Sequence, residues 1–384
     1  MRAAPPLALY VHLPWCVRKC PYCDFNSHVR RGTLPERRYV DALVADLELD
    51  LALVPGRPLV SIFLGGGTPS LFSAGAVARL LEAVRGRVAC PPGIEVTLEA
   101  NPGTVEHGRF ADYRAAGVTR LSIGAQSFDD RHLRALGRIH AAADTVSAVA
   151  EARTAGFEDV NLDLMAGLPG QSVAGAQSDL ETALSLEPSH LSHYELTIEP
   201  NTRFHRRPPR LPGEASRFAM HKRCHARLAE AGFERYEISA FALPGRRCRH
   251  NLNYWRFGDY LGIGAGAHGK LTDHAGRVWR MAKLRHPLMY MQHAHGDARL
   301  DTRCEVDPGG RAFEFMLNAL RLPGGFSRAL FEARTGLAQS DVAVPLRAGI
   351  DAGLLRATAD GWQPTAHGLL FLNDLQALFL AEAA

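Results

Sequence analysis

Three cysteines fall within eight residues in Cys16-Val-Arg-Lys-Cys20-Pro-Tyr-Cys23, a C-x3-C-x2-C run, while Cys90, Cys224, Cys248 and Cys304 stand singly. Iron–sulfur clusters take thiolate ligands, and a loop leaving the end of a strand can wrap three of them round one face of a cubane. Three protein ligands leave one iron open. Zinc is the competing reading: it normally takes four closed ligands, no fourth cysteine is near, and His28 would have to complete the set.

A second constellation is Gly65-Gly-Gly-Thr-Pro-Ser70. Glycines let the backbone approach a ligand with no Cβ in the way, and they free carbonyls to accept from an ammonium group. Tight strand–helix turns use the same residues, so the run gains meaning only beside the cysteine loop. Further polar residues stand where apolar runs end: Glu99 in Leu-Glu-Ala-Asn-Pro, Gln126 in Gly-Ala-Gln-Ser-Phe, and Asp163 in Asn-Leu-Asp-Leu-Met. A carboxylate on a buried strand is costly without a partner, so each holds either an internal hydrogen bond or a ligand's hydroxyl, carboxylate or ammonium group. Arg138 in Leu-Gly-Arg-Ile-His is a candidate partner for a carboxylate.

These residues need a scaffold that brings strand ends together. Residues 7–13, 59–64, 94–99, 121–125, 160–165 and 191–198 are short apolar or β-rich runs separated by helical patterns. In the first of these patterns Val40, Leu43, Val44, Leu47 and Leu51 share one face of a 3.6-residue period, with Pro35 at the entry. Val77, Leu80, Leu81 and Val84, then Ala176, Leu180, Ala183 and Leu184, repeat the pattern. Parallel neighbours need crossovers, so this α/β rhythm predicts a parallel sheet with helices outside, closed or open, and ligands at the carboxyl ends of its strands. The basic, proline-rich residues 203–212 read as a connecting loop before a helix over 214–231. From about residue 297 the rhythm is lost; helices over 311–320 and 340–352 and a hairpin at 354–364 predict a small α+β module of winged-helix type. The expected division is 1–200 for the core, 201–296 for an extension covering the barrel, and 297–384 for the module.

Composition excludes several classes. With 44 Lys+Arg against 40 Asp+Glu the net charge is +4, far from the field of a dedicated nucleic-acid binder. Residues 1–6 are too short for a signal-peptide core, and no apolar stretch reaches the ~18–20 residues of a membrane span. Seven mostly dispersed cysteines argue against a disulfide framework and for a reduced, cytoplasmic metal site. Oligomeric state is not legible.

The cysteine loop followed by Gly-Gly-Thr-Pro resembles the radical S-adenosylmethionine (SAM) superfamily. That resemblance implies a partial or open (β/α) barrel and a [4Fe–4S] cluster on Cys16, Cys20 and Cys23 whose open iron is chelated by SAM. By position in the family's motifs it implies SAM contacts at Tyr10, Tyr22, Gly66, Gly67, Thr68, Glu99, Gln126, Arg138 and Asp163, with Tyr22 against the adenine.

Within the superfamily, roughly the first 270 residues resemble the oxygen-independent coproporphyrinogen dehydrogenase (HemN) group and its relative, the HemW-type haem chaperones. Two departures separate the chain from the dehydrogenases: Phe25 stands where they carry a fourth cysteine, and Cys16 lies nearer the start than their longer amino-terminal arm would place it. His250-Asn-Leu-Asn-Tyr254-Trp255 resembles the haem-binding signature of the HemW group, and an imidazole or phenolate can ligate haem iron. His268 is a second candidate. The resemblance implies a protein that binds haem, SAM and a cluster and passes haem to acceptor haemoproteins; the alternative it leaves open is a radical enzyme acting on a porphyrinogen.

Overall fold

A computed structural model describes residues 4–103 and 109–380; residues 1–3, on which the expectation about the amino terminus partly rests, lie outside it. Strands β1 (Leu7–Leu13), β4 (Leu59–Gly66), β5 (Glu95–Ala100), β6 (Arg120–Gln126), β7 (Asp159–Ala166) and β8 (His190–Glu195) coincide with the six apolar runs. Between β1 and β4 lies the cysteine loop, pinned by a two-residue parallel bridge of β2 (Trp15–Cys16) and β3 (His28–Val29).

All six long strands are parallel, and a seventh, β11 (Asp259–Ile263), joins them beside β1. The sequence pattern did not reveal this seventh strand, because residues 196–258, with two antiparallel strands among them, separate it from β8 in place of a single crossover helix. Antiparallel strands widen the sheet at both edges: β10 (Ala240–Ala242) and β9 (Glu234–Glu237) beyond β8, and β12 (His268–Thr272), β13 (Val278–Lys283) and β14 (Leu300–Val306) beyond β11. The order β14-β13-β12-β11-β1-β4-β5-β6-β7-β8-β10-β9 never closes on itself, so the barrel is partial and open.

The period of two splits the strands chemically. Leu98, Leu121, Ile123, Leu162 and Leu164 are buried under the outer helices, whereas Glu99, Ser122, Gly124, Gln126 and Asp163 line the inner, concave side. Helix Glu36–Leu51 buries Val40, Leu43 and Leu47 as its periodicity predicts, each side chain contributing about 1.5–3 kcal/mol of burial. Pro35 sits one residue earlier than the first turn, at the N-cap. Helices Ala74–Arg85 and Val173–Ser185 turn their predicted apolar faces inward.

A buried ionic network ties the antiparallel edge to this core. Lys283 donates to Asp46 at 2.6 Å and Asp50 at 2.7 Å, and Arg299 donates to the same two carboxylates at 2.7 and 2.6 Å. Two cations, two anions and the Tyr290 hydroxyl satisfy one another, which is the condition for burying charge without a large penalty.

Residues 203–212 are not wholly a loop: Thr202 caps a single helical turn, Arg203–Arg206, that buries Phe204. The carboxyl-terminal module has a core of its own, including Phe315, Phe326, Phe331, Leu346, Trp362 and Leu375. Its three-stranded sheet runs β15 (Phe326–Ser327), β17 (Gly361–Pro364), β16 (Leu355–Ala357), and helices Pro308–Ala319, Arg328–Thr335 and Ala343–Asp351 pack on it. The hairpin at 354–364 and both predicted helices are present, each within a few residues of its expected bounds.

Candidate functional site: a cysteine loop over a polar cavity

The cysteine loop leaves the carboxyl end of β1 and is held by its own backbone. His28 N–H donates to Pro14 O at 2.7 Å, Arg30 N–H to Cys16 O at 2.8 Å and Cys23 N–H to Cys20 O at 3.2 Å. Lys19 Nζ closes the far side on Phe25 O at 3.0 Å. All three cysteines line one cavity of about 480 Å³. His28 turns away, its Nε2 3.3 Å from Arg285 O and its ring against His286. Among the described residues, the three cysteine sulfurs do not all lie within 4.8 Å of one another, the convergence one metal ion needs. A larger body spanning separated thiolates suits the loop better than a zinc ion.

The glycine turn is welded to that loop. Gly67 N–H donates to Leu13 O at 2.9 Å and Thr68 N–H to Trp15 O at 2.8 Å. A Cβ at Gly67 would lie 2.6 Å from Trp15 O; one at Gly66, whose φ is +113°, would lie 2.6 Å from the His12 ring. Gly66→Ala should therefore cost about 2 kcal/mol or more, read as a lower melting temperature in the cluster-free chain. An unchanged melting temperature would show that the turn tolerates the side chain.

Around the cavity the concave face supplies mismatched polar groups. Glu99 accepts from Gly66 N–H at 3.1 Å, and its carboxylate has capacity for further donors. Burial, with the nearby Asp163 charge adding to it, pushes Glu99 up to about 7. Burial also raises Asp163, against hydrogen bonds from the Tyr194 hydroxyl and from Asn161 Nδ2 at 2.8 Å. Two neighbouring buried carboxyls cannot both ionise cheaply without a cation between or beside them. Arg138 lines the same cavity, donating to Asn101 and to Gly124 O at 2.9 Å, with Nη1 3.9 Å from Cys20 Sγ. Gln126 lines the cavity with φ +67°, a left-handed conformation that costs a non-glycine residue of order 1–3 kcal/mol and is held here by the surrounding strands.

The thiols tell the same story. Burial raises Cys16, mutual repulsion with Cys23 and Cys20 adds to it, and a hydrogen bond with Thr68 opposes it; burial raises Cys23 as well. Cys16 and Cys23 therefore form thiolates most readily beside a positively charged centre. A cubane iron centre at the cysteines and an ammonium group at Glu99 would supply such charge; the residues present fit a [4Fe–4S] cluster and SAM.

The cavity brings together Cys16, Cys20, Cys23, Tyr22, Gly66, Gly67, Thr68, Glu99, Gln126, Arg138 and Asp163. Tyr10 is not among its walls: its ring packs on Phe63 and His250 and its hydroxyl lies 3.0 Å from His12 Nδ1, below the glycine turn. His250 and Tyr254 lie at the opposite end of the strands, not over the mouth. Helix Arg249–Trp255 begins on the Glu95 carboxylate, which accepts from Arg249 and His250 N–H at 2.9 and 3.1 Å. His250 Nδ1 is 3.1 Å from Ser61 Oγ, and burial lowers the imidazole pKa to about 3. Tyr254 is half-buried against Trp255 and Tyr260, whereas His268 is exposed at the start of β12.

Sequence reading missed Asn101, Tyr194 and Phe204. Asn101 lies one inward position beyond the run that carries Glu99, and Tyr194 occupies an inward position within the run 191–198, so the same period of two would have found both. Phe204, whose ring centroid is 6.4 Å from that of Tyr22, sits on the helical turn read as a loop.

Comparison with known proteins agrees with this geometry. The model of the radical SAM superfamily matches residues 10–183, and that of the HemN C-terminal domain matches residues 306–371. The chain is 50% identical to heme chaperone HemW of Escherichia coli, over 98% of this chain and 99% of that protein. It is 48% identical to heme chaperone HemW of Haemophilus influenzae over the full length of both. It is also 43% identical to the mitochondrial radical S-adenosyl methionine domain-containing protein 1 of Bos taurus, over 72% of this chain and 64% of that protein. Among solved structures, coproporphyrinogen III oxidase (HemN) of Escherichia coli superposes with a TM-score of 0.82 at 23% identity, over 98% of this chain and 90% of that one, a likeness of fold. Kinship at half of all positions across nearly the whole chain makes it a member of the HemW family of radical SAM proteins.

Proposed function

We propose that this chain binds haem and passes it to acceptor haemoproteins, with a [4Fe–4S] cluster and SAM held at the carboxyl ends of its strands. The observation that carries this reading is the near-full-length identity to proteins named heme chaperone HemW. Cys16, Cys20 and Cys23 would ligate the cluster. The backbone from Gly66 to Thr68, with Glu99, Gln126, Arg138 and Asp163, would hold SAM, and the Tyr22 ring would face its adenine. Tyr10 would act through Glu99 and Gly65 rather than by touching the ligand, since a Cβ on Gly65 would lie 3.1 Å from both.

When bound, the cluster would supply single electrons to the sulfonium of SAM. The chain's own part is electrostatic. Glu99 gives up its proton as an ammonium group arrives, Arg138 sets a fixed positive charge beside Cys20, and the closed glycine turn keeps the cavity floor from shifting. Haem is cargo, and for it we propose the helix Arg249–Trp255. Tyr254 offers a reachable phenol; His250 reaches iron only if the helix lifts off Ser61 and Phe63. Seven free cysteines, three of them cluster ligands on this reading, suit a reducing compartment such as the cytoplasm. Among the described residues no helix is long and apolar enough to cross a membrane.

The cluster-reconstituted chain should retain haem through gel filtration, transfer it to an apo-haemoprotein, and leave coproporphyrinogen III unchanged in the presence of SAM and a reductant. Tyr254→Phe should shift the haem absorption bands, while His250→Ala should chiefly lower the melting temperature, because it opens a cavity beside Tyr10 and Phe63. Silent spectra in both variants would move the iron ligand elsewhere. SAM-dependent loss of two carboxyl groups from coproporphyrinogen III would replace the chaperone reading with the enzyme one.

A further inference from the structure

Behind the cavity wall, on the helix-covered side of β8, three histidines face one another. His193 comes from the strand; His221 and His225 come from helix Glu214–Glu230, where a spacing of four residues puts both on one face. Their ring centroids are 5.4–5.7 Å apart, each pair edge to face, and one ligand nitrogen from each lies within 4.8 Å of the other two. His193 Nδ1 and His225 Nε2 are buried with no hydrogen-bond partner. Leaving two buried imidazole nitrogens unsatisfied costs of order 1–3 kcal/mol each, so a packed core of this kind needs a reason to keep them.

The third ring supplies it. His221 Nε2 lies 2.9 Å from Glu195 Oε2, and Glu195 is itself held by Arg217. A carboxylate on one ring nitrogen turns the other into the ligating one and raises its basicity, as in the outer shells of zinc sites. We propose that His193, His221 and His225 bind a divalent transition-metal ion, zinc foremost, as a three-imidazole site with a fourth position left for water. Three neutral nitrogens suit zinc, copper and nickel and poorly suit magnesium or calcium. Arg235, donating to Ile238 O and lying over Phe241, and Arg217, paired with Glu195, are the nearby cations the ion must tolerate. Glu195 also lines the large cavity, so the ion would brace the strand end that carries Tyr194.

The test uses the cluster-reconstituted full chain, stripped with a chelating resin, exposed to micromolar Zn2+ alone and gel-filtered before metal analysis. The parent should keep about one zinc per chain beside its cluster iron; His193→Asn/His225→Asn should lose at least about nine-tenths of that zinc with iron unchanged. His221→Asn, at a partly exposed position, provides a second variant should the double one fold poorly, and, as it removes a direct ligand, it should likewise lose most of the zinc. A Co2+ titration in a Cys16→Ala/Cys20→Ala/Cys23→Ala background separates the sites, since visible d–d bands there cannot come from the cluster thiols, and an absence of thiolate-to-cobalt charge-transfer absorption excludes the four remaining cysteines. No zinc retained by the parent, or equal zinc in parent and folded variants, overturns the proposal.

Discussion

Iron and sulfide binding should vanish when Cys16, Cys20 and Cys23 are replaced together by alanine, and should persist at parental levels in Cys90→Ala and Cys304→Ala. The three loop thiols share one cavity wall, whereas Cys90 and Cys304 lie elsewhere, Cys90 bonded to Val88 O and Cys304 exposed on β14. No other cysteine can substitute: Cys224 and Cys248 are buried in packed surroundings, where burial pushes the thiols up to about 11 and about 12 and keeps them protonated. The loss should be all or none, because two thiolates do not hold a cubane against solvent. The fold should survive, since the backbone and Lys19 hold the loop and the sulfurs add only weak hydrogen bonds, among them those to Thr68 and Arg138. Metal and sulfide analysis of anaerobically reconstituted protein checks this; cluster retained in the triple variant would reassign the site.

Glu99→Gln should weaken SAM binding at least about tenfold while iron content stays constant, because it removes the buried charge that an ammonium would meet. The pH dependence follows from the raised pKa. With a folded-state value of about 7 against 4.5 for the free group, the ligand-free chain holds a proton on Glu99 that ammonium binding must expel. Affinity should therefore fall as pH drops below about 7, by up to tenfold per unit, and this slope should be absent in Glu99→Gln. Stability of the ligand-free chain moves the other way. A carboxyl that binds its proton more tightly when folded contributes most below the unfolded pKa and loses that contribution as pH rises through 4.5 to about 7. The glutamine variant should thus match the parent at pH 4 and melt higher than the parent at pH 8. Calorimetric titration with SAM at several pH values, paired with melting curves, reads both effects; a pH-independent parent affinity would remove Glu99 from the ammonium site.

Much of the architecture was legible because its signals are local. The six core strands carry continuous apolar runs, as strands buried on a parallel sheet must, and the helices between them repeat at 3.6 residues. The cysteine spacing and the glycine turn name a chemistry without reference to anything distant. What stayed hidden was pairing across long separations. Strand β11 reads as Asp259-Tyr-Leu-Gly-Ile and stands outside the strand–helix rhythm, and only the register Leu7↔Asp259 to Val11↔Ile263 puts it beside β1. The network of Asp46 and Asp50 with Lys283 and Arg299 joins residues more than 230 apart, and its members look in sequence like ordinary surface charges.

By itself, then, the sequence determined which side chains could bind iron and which elements would carry them, because thiolate spacing and hydrophobic period are properties of a few consecutive residues. Tertiary structure decided which of those side chains share a space. It put Glu99, Asp163 and the three cysteines round one cavity, left Tyr10 beneath it, and sent His250 and Tyr254 to the far end of the strands. It also joined His193 to His221 and His225, 28 and 32 residues further on. The physical reason is the sheet itself: parallel strands align their carboxyl ends whatever lies between them, so position along a strand, and not distance along the chain, determines which groups meet.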